Sequence, residues 1–171
     1  KINTDRIDKW MRSGGVMVRF SGPRITAKKA TQKLKFLPVE IKEGVRILGG
    51  AMSWQKSIFL TPFKKDSPFF GLNIPNEIII DRQLLGSTSS TLAKNIWAEL
   101  SDGTPLVTAK AFGKGWSILF HTGAHTDWSN LPISGLFVEM LRRILDLSKG
   151  ISIAENGALL PPVQTLDGFG K

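Results

Sequence analysis

Four side chains able to move a proton, attack a carbonyl or ligate a metal lie in one stretch, GKGWSILFHTGAHTDWSNLPISG at 113–135: His121, His125, Asp127 and Ser129. The first two are the only histidines of the chain. Imidazole with a carboxylate and a hydroxyl is the donor set of a hydrolase, and two imidazoles with an aspartate can hold a divalent cation. Either chemistry needs the groups to converge. A spacing of four puts both imidazoles on one side only if the segment is helical, as in H-E-x-x-H zinc sites, and here Gly123 follows a strand that ends at His121. A loop could still gather His121, His125 and Asp127 around a metal. The stronger reading is structural: a histidine at a strand end hydrogen-bonds nearby backbone and holds the loop, with Trp128 and Leu131 anchoring it in the core.

Other chemistries leave less trace. The G-x-S-x-G elbow of serine hydrolases is absent. Gly113-Lys114-Gly115 joins two strands, so it is a hairpin turn rather than a phosphate cradle opening onto a helix. There is no cysteine, which excludes disulfides, thiolate zinc sites and cysteine nucleophiles. No cofactor and no resident metal is expected.

The elements that must position these groups are legible in part. Ile7, Trp10 and Met11 recur at helical spacing, with Thr4 as a cap and Gly14-Gly15 as a stop. VMVRF at 16–20 follows as a buried strand. IWAEL, PLVTAKAF and WSILFH, separated by SDG and GKG, form a β-meander, because turns this tight join only antiparallel neighbours. LFVEMLRRILDL then places Leu136, Phe137, Met140, Leu141, Ile144 and Leu145 on one helical face, capped by Ser134. The middle is less regular. VEI, RILGG, SIFL and EIIIDRQLL are strand candidates, DSPFFGLNIP reads as a packed loop burying Phe69, Phe70 and Leu72, and the five tryptophans are expected in the core.

With 171 residues, 42% hydrophobic and 22% charged, the chain has the length for one domain with a real core. Residues 1–150 are expected to form it, and the Pro/Gly-rich segment 151–171 to leave it. No apolar run approaches the roughly 18 residues that span a bilayer. The start, KINTDRIDKW, has neither an initiator methionine nor a signal-peptide pattern, so the sequence reads as a piece of a longer protein. The net charge of +9 is concentrated: residues 1–36 hold ten Lys and Arg against Asp5 and Asp8, while residues 81–171 balance to zero. Its centre, GPRITAKKATQKLKF, carries Arg24, Lys28, Lys29, Lys33 and Lys35. A solvated loop or helix face is the plain reading; contact with phosphate, as anionic lipid or nucleic acid, is the alternative.

The stretches PVEIKEGVRILGGAMSW, DSPFFGLNIP, WAELSDGTPLVTAKAFGKG and HTGAHTDWSNLPISGLFVEMLRR resemble the glutamine-amidotransferase-like region of large bacterial membrane proteins. Those proteins carry an N-terminal double-transmembrane region of the BatA aerotolerance type and a C-terminal domain of unknown function. RSGGVMVRFSGPR and LLPPVQTLDGFG fit the same region, so the resemblance covers most of the chain. It implies an α/β fold of the flavodoxin-like, class I glutamine-amidotransferase type, a largely parallel sheet flanked by helices, with the meander added. It does not imply amidotransfer, which needs the cysteine this chain lacks. Such a domain normally has one or two strands before the helix that ends in Gly-Gly, so the sheet is expected to be incomplete at its N-terminus, leaving an edge for another copy or a neighbouring domain.

The functional expectation is a non-catalytic interaction or ligand-sensing domain in the bacterial cell envelope. Its partners would be other domains of the same membrane protein or a second copy, with the membrane reached through segments outside this chain and nucleic acid disfavoured. The alternatives are a hydrolase or metal site in the loop from His121 to Ser129, and anion binding through residues 24–35.

Overall fold

A computed structural model of the chain describes residues 4–22, 25, 35–48, 58–87 and 92–148. Helix α1 (Thr4–Arg12) leads into strand β1 (Val16–Phe20). Two short strands follow, β2 (Arg46–Ile47) and β3 (Arg82–Gln83), and then the meander of β4 (Ile96–Glu99), β5 (Pro105–Phe112) and β6 (Gly115–Phe120). Helix α2 (Gly135–Ser148) comes last. The main sheet has the order β1-β6-β5-β4, and β2 pairs with β3 apart from it.

This sheet corrects the flavodoxin-like, amidotransferase-type expectation. Only β1 and β6 run parallel; β6 with β5 and β5 with β4 are antiparallel. The physical reason lies in the turns. A two-residue connection at Gly113-Lys114 leaves no length for the crossover that parallel neighbours require. The meander is therefore three of the four strands, and β1 is the strand added to it. Among the described residues the α-helices with stated bounds are α1 and α2, beside two short 3-10 turns at Ala93–Asn95 and Leu131–Ile133.

Alternation along β1 and β6 sends Val16, Val18, Phe20, Ile118 and Phe120 to the face that α2 covers. There Phe20 stacks on Phe120 at 4.8 Å between ring centroids, and Phe137 of α2 meets both rings at 5.8 and 5.9 Å. The Ser134 hydroxyl accepts from the Phe137 amide at 3.3 Å, capping α2 as its sequence indicates. Leu136, Met140 and Ile144 are buried; Leu145, at the same sequence-predicted face, is exposed because it lies where the helix passes the sheet edge. Trp97 and Trp128 are buried and Trp116 partly so, whereas Trp10 is about half exposed, lying over Gly15 instead of entering the core. Trp54 and the exit segment fall outside the described residues.

The middle forms fewer strands than its apolar runs suggest. EIIIDRQLL contributes β3 and a single bridge, Ile80 to Ser129, because its backbone is satisfied piecewise by a loop. The Asp81 and Arg82 amides both donate to the Trp128 carbonyl at 2.9 and 3.0 Å, and the Asn130 side chain accepts from the Ile79 amide at 2.7 Å. VEI and SIFL likewise leave isolated bridges, Ile41 to Gly86 and Leu60 to Leu100. In DSPFFGLNIP, Phe69 is buried and edge-on to Phe63 and Trp97, while Phe70 points to solvent.

Helix α1 seats against the β5–β6 hairpin at Gly115. A β-carbon there would collide with the carbonyls of both Gly15 and Met11. Gly115→Ala is therefore expected to cost about 2 kcal/mol or more, at the upper end for overpacking against backbone. Gly135→Ala, with open space around the same added atom, should stabilise by about 0.4–1 kcal/mol. Urea unfolding of the two variants checks the contrast.

Candidate functional site

The loop that follows β6 starts in the core and ends in solvent. His121 is fully buried, Thr122 nearly so, His125 and Asp127 are exposed, and Trp128 and Ser129 return to the interior. Strand pairing explains the first position: His121 continues β6, and its amide donates to the Leu106 carbonyl of β5 at 2.8 Å. Trp128 and the fully buried Leu131 pull the far end inward, and the chain between them bulges outward.

Both ring nitrogens of His121 are occupied. Nδ1 lies 2.7 Å from the Leu84 carbonyl oxygen and Nε2 lies 2.9 Å from Thr108 Oγ1. A carbonyl can only accept, so Nδ1 carries the proton and Nε2 accepts from the threonine hydroxyl. Burial drives the imidazole pKa down from 6.5 to about 4, opposed by the hydrogen bond to Leu84. The ring is neutral at physiological pH, with neither a free lone pair for a metal nor a free site for a substrate proton.

The other three residues divide differently. His125 Nδ1 stands 3.4 Å from Asp127 Oδ2 and accepts the Asp127 amide at 3.3 Å, an exposed pair on the loop tip. Ser129 Oγ is buried and without a hydrogen-bond partner, and its backbone bridges to Ile80. The four residues thus occupy three environments, and only His125 and Asp127 meet. Among the described residues no three His, Asp or Glu side chains gather as a metal-binding set. Of the basic candidates, Arg24, Lys28, Lys29 and Lys33 lie outside the described residues, and Lys35 is exposed.

An open groove of about 470 Å³ lies at the opposite end of the strands from this loop. It is lined by Trp10, Val16, Val18, Ile144 and Leu145, with the hydroxyls of Ser13 and Ser148, and has no titratable side chain. The partners that immobilise His121, Leu84 and Thr108, gave no separate signal in the sequence. Thr108 is visible in retrospect as a hydroxyl in the middle of an apolar strand. Arg19 is a similar case, a charge inside VMVRF that burial holds below the usual arginine pKa.

No protein-family model and no curated protein matches this sequence. Among solved structures, the chain is similar to a β-galactosidase from Rahnella sp. R3, at 16% identity and a TM-score of 0.47. That alignment covers 84% of this chain and 20% of the β-galactosidase, so this chain spans about a fifth of that protein's length. A likeness at this level establishes no common fold.

Two outcomes follow from the loop. A histidine pKa lowered by folding means that the unfolded chain binds the extra proton between pH 6.5 and about 4, so stability is full above that window and falls as pH drops through it. The loss attributable to His121 should reach about 3 kcal/mol by pH 4, with a His121→Gln variant showing a flatter profile in denaturant titrations. Asp102 acts in a lower window: burial tends to raise its pKa, but hydrogen bonds from Thr104 and Arg46 outweigh that and hold it below 3.8. Ser129→Ala removes a buried hydroxyl that has no partner, and should leave the melting temperature unchanged or raise it, by up to about 1 kcal/mol in stability.

Proposed function

We propose that this chain is a non-catalytic interaction domain of a membrane-anchored bacterial envelope protein, working through contacts with other domains of the same protein. The observation that carries the non-catalytic reading is the saturation of His121, whose two ring nitrogens are spent on Leu84 and Thr108 inside the core. General acid–base work needs a group that can reach substrate and change protonation near the working pH. A buried imidazole held near pKa 4 meets neither condition. Ser129, buried without a base against it, is not an activated nucleophile. The envelope setting rests on the sequence resemblance alone. Among the described residues no helix is long and apolar enough to cross a membrane, so anchoring would belong to segments beyond them.

The hydrolase or metal reading would have to use the exposed His125–Asp127 pair, which supplies two ligands at most. Calorimetric titration of the chain with zinc, nickel or manganese should give no stoichiometric heat, and chromogenic ester and phosphoester substrates should turn over at the buffer rate. A low-micromolar metal site abolished by His125→Ala, or hydrolysis abolished by Ser129→Ala, would replace this reading with an enzymatic one.

A further inference from the structure

The alternation that sends Val16, Val18 and Phe20 towards α2 sends Met17 and Arg19 to the other face of the sheet. Ser117 stands opposite Met17 on β6, and Lys110 stands opposite Ser117 on β5. The two cations therefore lie diagonally on one face, with Phe36 between them. The Phe36 carbonyl accepts from Arg19 Nη1 at 3.0 Å and also from Ser117 Oγ. The Phe36 ring meets Phe112 edge-on at 5.9 Å, and Lys110 Nζ lies 5.7 Å over the Phe112 ring. Phe36 adopts φ +62°, a left-handed backbone that a phenylalanine rarely takes, consistent with its carbonyl being pinned from two sides.

Among the described residues no stated ion pair joins a carboxylate to Arg19, Lys35 or Lys110; the stated Arg and Lys pairs run from Asp8 to Arg12, from Asp102 to Arg46, from Glu99 to Lys64 and from Glu139 to Arg142. Arg19 is partly buried, and its polar partner among the described residues is a neutral carbonyl. A guanidinium taken part-way out of water without a carboxylate is most stable when an external anion reaches its remaining donors. Lys35 adds an exposed cation directly before Phe36, and the sequence leading to it is the most basic of the chain.

We propose that this face docks onto an anionic phospholipid surface, with Arg19, Lys35 and Lys110 meeting lipid phosphates while Met17, Phe36 and Phe112 sit at the headgroup boundary. Cations around partly exposed apolar and aromatic side chains match the two layers of such a surface. Nucleic acid fits less well: the Phe36 and Phe112 rings meet each other edge-on and Lys110 lies over Phe112, which leaves less ring face for stacked bases. The inference is independent of the envelope setting, since a chain with this face would bind such vesicles wherever it resides.

Vesicle co-sedimentation of the whole chain tests it, with phosphatidylglycerol–phosphatidylcholine vesicles against phosphatidylcholine alone. Binding should require phosphatidylglycerol and weaken as salt rises from about 50 to about 200 mM. Lys110→Gln and Arg19→Gln should each reduce it about fivefold. Arg142→Gln removes the same charge from α2, across the sheet, and should leave binding unchanged. Should Arg19→Gln fail to fold, the exposed Lys110 carries the comparison. Equal binding to both vesicle types, or equal losses in Lys110→Gln and Arg142→Gln, would overturn the proposal. So would duplex DNA that displaces the vesicles and loses affinity in the same variants, or saturable inorganic phosphate binding without vesicle binding.

Discussion

The structure depends on a cross-link made by one side chain, His121. Through its amide and ring it holds Leu106 and Thr108 of β5, and through its carbonyl and ring it holds Leu84 twice. The segment around 78–87 has little continuous strand pairing of its own and is held against the sheet by this residue, by the Trp128 carbonyl and by the Asn130 side chain. In a dry interior such bonds are strong because water does not compete, and losing one partner exposes the other to the full cost of an unpaired polar group. Neutrality of the ring is part of the arrangement. A proton on Nε2 would oblige the Thr108 hydroxyl to turn from donor to acceptor and would place a charge in the dry interior.

Around that cross-link the mixed sheet separates the molecule into regions with different physics. One face is covered by α2 and packed with aromatic rings; the other carries Arg19, Ser117 and Lys110 beside Thr108 and His121. The parallel pairing of β1 with β6 puts the apolar groove at the start of both strands and the histidine loop at their far end. Close approach of α1 to Gly115 fixes the groove's outer wall, because Trp10 then lies over Gly15. The histidine loop and the apolar groove thereby lie at opposite ends of the strands.

The closeness of His121, His125, Asp127 and Ser129 along the chain therefore misleads. Nine residues of loop can begin in the core, reach solvent and return, so neighbours in sequence end in different solvation. The mixed sheet corrects the fold class expected from the resemblance for a related reason: similar stretches of sequence specify similar local elements, but whether strands lie parallel or antiparallel is set by the connections between them. Here Gly113-Lys114 settles that β5 and β6 are antiparallel.

Sequence by itself determined the local elements whose signals are self-contained. The α1 periodicity with its Gly-Gly stop, VMVRF, the three meander strands and the Ser134-capped α2 are legible because each rests on side-chain period, turn length or a cap within a few residues. It also determined the uneven charge and, through the missing cysteine, the chemistry that cannot occur. Tertiary structure decided the rest. Whether EIIIDRQLL becomes a strand depended on what lay beside it, and its neighbour was a loop that could match its amides only one or two at a time. The state of His121 depended on Leu84 and Thr108, 37 and 13 residues away, whose carbonyl and hydroxyl close around it. Arg19 and Lys110 came onto one face of the sheet only through strand pairing. Burial, protonation and the company a charge keeps are set by long-range packing, and no local pattern encodes them.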